Sequence, residues 1–428
     1  MKLHPTILIL MNKIITVFIL IIFILGCNQQ TATSNGNKAT NDSIEVIHFQ
    51  DSLRQAFLAN YDRSFNNLSQ FMGGLPQTEE GVLKKLEKKE NWKSYKSSFD
   101  SSWSIIEKTR LTPMKEWANE ELTEANSNGK DLFYPFGGPD FLNAFTLFPH
   151  AKNYTLIGLE PVGWVPDLTK MKEKAQSDYL HSIYNALGDI FQRSYFITRK
   201  MVHDMHNNEI SGTVPLLYVF LARTHNTIVD VKRVGINDQG TLEVYTVDIK
   251  NKPTKKISPG IRIDFIPENQ TEVHSLYYFA INLLDAELVK TPGIMKYISG
   301  LGTVNTYVKS ASYLMHYLTF NYIREAVLKQ SAALLQDDSG IAYRFFDKKV
   351  WNFKFYGRYM KPVNDFNWVF EKDLQDVYKK DSTIKPVPFI LGYHWESNGI
   401  NLLRAVKKND IANSLPKDTV GWKKLKKK

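Results

Sequence analysis

The sequence predicts an α/β protein, built as a mixed-sheet sandwich behind an N-terminal helical region. Three observations lead there. Residues 44–128 carry large aromatic side chains at three- and four-residue steps, the spacing of one helical face. After Asp131, short apolar runs bounded by Gly and Pro alternate with longer helical stretches, the pattern of strands layered against helices. Between 227 and 266 the runs follow one another closely, which predicts an antiparallel portion within the sheet.

Taken in order, Phe57, Leu58, Tyr61, Phe65, Leu68 and Phe71 form a first helical stripe that Gly73, Gly74 and Pro76 terminate. A second stripe runs through Trp92, Tyr95, Phe99, Trp103 and Ile106. Thr112-Pro113 reads as an N-cap followed by proline in the first helical turn. The α/β domain is expected over 129–415. Its strands are predicted at 132–134, 154–157, 214–222, 227–234, 242–249, 261–266, 341–346, 351–355 and 386–393. Helices are predicted over 141–148, over the long stretch 308–335 and near 400–407, while 274–284 is apolar and ambiguous.

Composition bounds the class of molecule. Hydrophobic residues make up 43% of the 428 and charged residues 23%, which is ordinary for a globular chain with a sizeable core. Cys27 is the only cysteine, so no internal disulfide can form and stability rests on packing. It closes the twelve-residue run Ile14–Leu25, apolar except for Thr16, which lies behind Asn12-Lys13 and is followed by Gly26. Such a run is too short to span a bilayer, which takes roughly 20 residues, but it suits the core of a signal peptide. The same signal arises whether translation starts at Met1 or at Met11.

A basic start, an apolar core and Gly26-Cys27 resemble the signal of a bacterial lipoprotein, with Ile24 and Leu25 bulkier or rarer than that pattern favours. The resemblance implies that residues 1–26 are removed and that Cys27 carries lipid at the mature N-terminus. Residues 27–43 are small and polar and read as a flexible tether. Asn28 is not the aspartate that would favour inner-membrane retention, so the resemblance implies an outer-membrane lipoprotein facing the periplasm. Removing Lys2 and Lys13 leaves a mature formal charge of +8. Much of it lies in the basic tail at 416–428, which ends in Lys423, Lys424, Lys426, Lys427 and Lys428. Behind an export signal, nucleic acid is out of reach, and anionic envelope components are the partners such a tail would meet.

The strongest local pattern is Tyr134-Pro-Phe-Gly137-Gly138-Pro139-Asp140, followed by Gly158-Leu159-Glu160-Pro161. A strand turns through two glycines into a helix, a second strand follows, and Glu160 ends it. This resembles the first βαβ unit of Rossmann-like nucleotide-binding folds, in which such an acid holds ribose hydroxyls. The glycines depart from G-x-G-x-x-G, and Asp140 in the first helical turn would repel a pyrophosphate. The pattern therefore disfavours a dinucleotide and leaves open a phosphate-free, S-adenosylmethionine-like ligand, although that compound is not expected in the periplasm. A structural turn explains the same residues, and no cofactor is specified. Together with Gln336-Asp337-Asp338-Ser339-Gly340, these stretches are similar to a family of bacterial lipoproteins of unknown activity, which implies no site.

Asp337 and Asp338 could hold a hard cation or act as acid and base; they also suit a turn, with Arg344 placed to neutralise them. His203 and His206 share a helical face with Glu209 a turn later, but the pattern is not H-E-x-x-H, and no metal site is assigned. Lys309, Ser312 and His316 fall on one face of the long predicted helix without the usual Ser-x-x-Lys order. Trp351, Phe353 and Phe355 alternate on one strand face, as a core strand or a sugar-stacking surface would require. His394 and Glu396 are candidates by position at a strand end. No catalytic residue is assigned. Two functions remain: a non-catalytic lipoprotein that binds an envelope component or partner, and an enzyme or small-ligand binder using Gly137, Gly138, Asp140, Glu160, Asp337 and Asp338.

Overall fold

The computed structural model describes residues 61–197, 210–247, 253, 256–396 and 399–408. The chain divides into residues 1–55 and 56–428, and every described residue belongs to the second unit. Cys27, the tether, the basic tail and the pair His203 and His206 lie outside the described residues.

Ten strands form one mixed sheet: β1 (Leu132–Tyr134), β2 (Asn153–Gly158), β3 (Thr227–Ile236), β4 (Leu242–Val244), β5 (Ser258–Ile266), β6 (His274–Ala280), β7 (Val304–Val308), β8 (Ser331–Gln336), β9 (Trp351–Gly357) and β10 (Asn401–Lys407). Their spatial order is β4-β3-β5-β6-β2-β1-β7-β8-β10-β9. The five central strands β6, β2, β1, β7 and β8 are parallel, with Leu132 opposite Tyr154 on one side and Asn305 on the other. Antiparallel strands extend both edges, β5, β3 and β4 beyond β6, and β10 then β9 beyond β8.

Helices cover both faces, so alternate residues of a strand enter different cores. Leu132 and Tyr134 join a cluster with Phe99, Met114, Leu180 and Leu217, while the intervening Phe133 joins one with Leu288, Ile294, Ile323 and Leu374. The N-terminal helices therefore build the first core rather than a separate body. The second aromatic stripe is buried as the spacing predicts: Trp92, Tyr95, Phe99, Trp103 and Ile106 all line one side of the helix Glu90–Ile106. In the first stripe Phe71 is buried and Tyr61, Phe65 and Leu68 are half-buried, while Phe57 and Leu58 lie outside the described residues. Among the described residues, no helix is long and apolar enough to cross a membrane.

Several local expectations are overturned. Thr112 is not an N-cap, because a π-helical turn over Glu107–Leu111 carries the helix straight into Thr112–Glu121. Residues 214–223 form a helix buried on every side, not a strand; an all-apolar run has no periodicity to separate the two. The long helix expected over 308–335 is instead the end of β7, two 3₁₀ turns, the helix Asn321–Gln330 and β8. Ser310, Ser312 and Tyr313 take left-handed backbone conformations that no continuous helix tolerates. Residues 401–407 are strand β10 rather than helix, paired with neighbours on both sides. Neither 341–346 nor 386–393 is a strand; each contains a 3₁₀ turn, and β4 stops at Val244. Trp351, Phe353 and Phe355 share the second core with Phe346 and Tyr343, which covers the face a sugar would need.

Candidate functional site

A cleft of about 300 Å³ opens at the C-terminal ends of β1, β2, β6 and β7. Gly138 and Glu160 form its polar side, Phe136, Ile281, Leu314 and Phe320 its apolar walls, and Ser310 and Ser312 its far rim. The turn after β1 needs its glycines. Gly138 has φ +56°, and a Cβ there would lie 3.2 Å from Glu160 Oε2. Across the turn, a Cβ on Gly158 would meet that oxygen at 2.4 Å and Gly138 Cα at 2.6 Å. The β1 and β2 turns thus close directly over the Glu160 carboxylate.

Glu160 is 1% exposed. Its backbone carbonyl accepts the Tyr278 hydroxyl at 2.8 Å, and Oε2 accepts the same group at 3.2 Å. Oε1 has no hydrogen-bond partner among the described residues, although it is fully buried. Across the cleft the Ser310 Oγ is in the same condition. A buried polar atom left unpaired costs about 1–3 kcal/mol, and more where the group is charged. Both residues belong to the wall of the cleft, so it is walled by polar groups with unused hydrogen-bonding capacity.

The backbone around the cleft is strained as well. Phe136, Ser310, Ser312 and Tyr313 all have positive φ, at 63°, 50°, 50° and 54°. Non-glycine residues adopt this region rarely, and strain of this kind concentrates at functional sites. Surrounding groups hold the 310–313 loop in place. Asp337 Oδ2 accepts the Ser310 N–H at 2.9 Å, Ser339 Oγ accepts the Ala311 N–H at 2.8 Å, and the Tyr393 hydroxyl donates to Ser310 O at 2.8 Å.

Asp140 lies behind the cleft, not in it. It caps the helix Phe141–Leu147 by accepting the Asn143 N–H, and it also accepts the Tyr134 hydroxyl at 3.1 Å. Its Oδ2 pairs with Lys309 Nζ at 2.8 Å, both side chains being 1% exposed. Burial holds the Lys309 ammonium below its ordinary pKa, and the Asp140 charge offsets part of that effect. Gly137 packs against the Tyr134 ring and only shapes the turn.

Asp337 and Asp338 form a second buried cluster beneath the 310–313 loop. Asp338 Oδ2 accepts the Tyr313 hydroxyl at 2.7 Å, and its Oδ1 accepts Asn401 Nδ2 at 3.0 Å. His394 Nε2 lies 3.1 Å from the same Oδ1. Burial disfavours the charged imidazole, but the Asp338 carboxylate outweighs it and the His394 pKa rises. Arg344 does not neutralise these acids, contrary to expectation; it pairs with Glu371 at 3.2 Å. Lys309, Ser312 and His316 do not share a helix face either, since a strand end, a left-handed loop and a 3₁₀ turn carry them separately. Glu396 is exposed. Among the described residues, no cluster of His, Cys, Asp and Glu has the geometry to hold a metal ion.

Burial, then the Asp338 charge, push the Asp337 carboxyl up to about 6. The native state therefore binds a proton that the unfolded chain, with an ordinary carboxyl near 4, releases between those values. Its stabilising contribution is full below about 4 and is lost as pH rises through about 6. Wild type should accordingly lose stability relative to Asp337→Asn on going from pH 4.5 to 7.5, by at most about 1.4 kcal/mol per unit. Urea unfolding at the two pH values reads this; a constant difference would contradict it.

The sequence pattern found Gly138 and Glu160 but missed Ser310, Tyr278, Asn401 and the pairing of Asp140 with Lys309. Ser310 has one sequence signal, a Lys-Ser-Ala-Ser run placed where an apolar strand stops. The chain matches no protein-family model, no curated protein and no solved structure.

Proposed function

We propose that the protein is a lipid-anchored, periplasm-facing envelope protein whose folded body binds a small phosphate-free ligand of the nucleoside class in the Glu160 cleft. The observation that carries the ligand reading is the buried Glu160 side chain, its Oε1 unpartnered among the described residues, in the wall of an apolar-lined cleft. A carboxylate there accepts from vicinal hydroxyls, and Phe136, Leu314 and Phe320 offer surfaces for a flat ring. The strand order supports it: the parallel strands run outward from β1 in both directions, which makes β1 the switch point where such sheets take ligands. Phosphate is disfavoured because, among the described residues, no cation lines this cleft, and the buried Lys309 is committed to Asp140.

Calorimetric titration with adenosine, S-adenosylmethionine and ribose tests the reading. Adenosine or its sulfonium derivative should bind more tightly than ribose, and Glu160→Gln should weaken binding about tenfold or more, the range for a charged hydrogen bond. If none of the three binds, or if Glu160→Gln binds like wild type, the nucleoside reading fails.

The anchor rests on the twelve-residue run Ile14–Leu25, Gly26 and the single thiol at Cys27. Cys27→Ser should abolish incorporation of an alkyne fatty acid in living cells and leave uncleaved precursor or soluble protein. The fold should survive, because no disulfide is lost and the α/β body begins far down the chain. Equal label on both proteins, or none on either, would mean that the signal is not that of a lipoprotein.

A further inference from the structure

Ser310, Ala311 and Ser312 line the Glu160 cleft, and within residues 310–313 Ser310, Ser312 and Tyr313 hold left-handed backbone conformations. Such a segment keeps its shape only while its surroundings impose it. Asp337 imposes it on two successive amides. Its Oδ2 accepts the Ser310 N–H, and its Oδ1 accepts the Ser339 hydroxyl, whose oxygen in turn accepts the Ala311 N–H. The neighbouring Asp338 accepts the Tyr313 hydroxyl. Each end of the strained segment is thus fastened to one of two consecutive carboxylates.

Both carboxylates are 5% exposed. His394 pairs with Asp338, and Lys309 of β7 is committed to Asp140, so among the described residues Asp337 forms no ion pair. The other groups that face it are tyrosines, uncharged in acid and neutral solution: Tyr134 of β1, Tyr307 of β7, Tyr313 of the loop and Tyr393 of the turn Gly392–His394. That turn also packs on the carboxylate, since a Cβ at Gly392 would lie 2.6 Å from Asp337 Oδ2.

Two adjacent buried carboxylates resist joint ionisation, and the one without a counter-charge keeps its proton to higher pH. Burial and the Asp338 charge outweigh the hydrogen bonds from Ser339 and Ser310, and the Asp337 carboxyl stands at about 6. A loop that opens gives up the burial and the hydrogen bonds together, which returns the carboxyl to an ordinary value near 4. The proton therefore favours the closed loop. That preference is full below about 4 and is lost as pH rises through about 6.

We propose that Asp337 is a proton-dependent fastener of the cleft wall, holding the 310–313 loop closed in mildly acid conditions and releasing it toward neutral pH. Asp337 does not line the cleft and acts as a positioning residue, through the loop alone. The inference rests on the nucleoside reading only for what the wall encloses.

Hydrogen–deuterium exchange of the full chain without ligand, read on peptides spanning 309–316, tests it. Protection, taken relative to the intrinsic rate at each pH, should fall about three- to tenfold between pH 5.0 and 7.5, the most that a difference of about two pKa units allows over that range. Asp337→Asn, neutral at both values, should show no such fall. Ser339→Ala removes a hydrogen bond that favours the charged carboxylate, so it should move the midpoint of the fall to higher pH, a shift that a purely structural role would not produce. This variant also guards against a folding defect in the first. His394→Gln should keep the fall. Unchanged protection in wild type, an equal fall in Asp337→Asn, or loss of the fall in His394→Gln would overturn the proposal. No ligand enters the measurement, so its outcome is separate from that of the adenosine titration.

Discussion

Lys309→Met should destabilise the protein by about 3–5 kcal/mol, because it leaves the Asp140 carboxylate buried without its counter-charge. The pair is 2.8 Å apart and sealed from water, and Asp140 is also tied to Tyr134 and Asn143, so it cannot turn out to solvent. Neutralising the acid should then recover much of the loss. Asn remains a good N-cap for the helix Phe141–Leu147, so Lys309→Met with Asp140→Asn should be more stable than Lys309→Met alone. Urea unfolding of the two single variants, the double variant and wild type gives the coupling. Additive losses would show that Asp140 and Lys309 do not stabilise each other as a pair.

Gly158→Ala should both weaken the fold and weaken the proposed ligand binding in the Glu160 cleft. The added methyl would sit 2.6 Å from Gly138 Cα and 2.9 Å from the Tyr278 hydroxyl, in addition to its clash with the carboxylate. Side chains can swing aside, but Gly138 Cα is backbone, so the whole β1 turn must move. Overpacking of this kind costs about 1–3 kcal/mol. The displaced turn would also carry Glu160 away from the apolar wall, so affinity for adenosine should fall by more than about tenfold. An alanine variant of wild-type stability and affinity would mean that the two turns do not press on the carboxylate as described.

What the sequence made legible follows from where local and tertiary signals agree. The β1–helix–β2 unit was readable because its glycines, its capping aspartate and its two short apolar strands all favour the same structure. The helix Glu90–Ile106 was readable because its aromatic residues bury one face only. Residues 401–407 were not, since Leu-Leu-Arg-Ala has strong helical propensity and only the pairing of β10 between β8 and β9 overrides it. Residues 214–223 failed for the opposite reason, being surrounded by core on all sides and so without a polar face to set the period. In the site, Glu160 was visible from its spacing to the glycines. Ser310 was not, because its importance comes from a left-handed backbone and an unpaired hydroxyl, neither of which leaves a mark on composition.

The pairing of Leu132 with Asn305 has a kinetic consequence. The central strand is made early, yet one of its two neighbours is separated from it by more than a third of the chain, and β9 cannot join the sheet until β10, nearly the last described segment, is in place. Such non-local topology makes folding slow and leaves intermediates with bare strand edges. A chain that emerges from a translocation channel N-terminus first would therefore stay incomplete until its final segments arrive. For such a chain, a holding chaperone during export would shield what the unfinished sheet exposes.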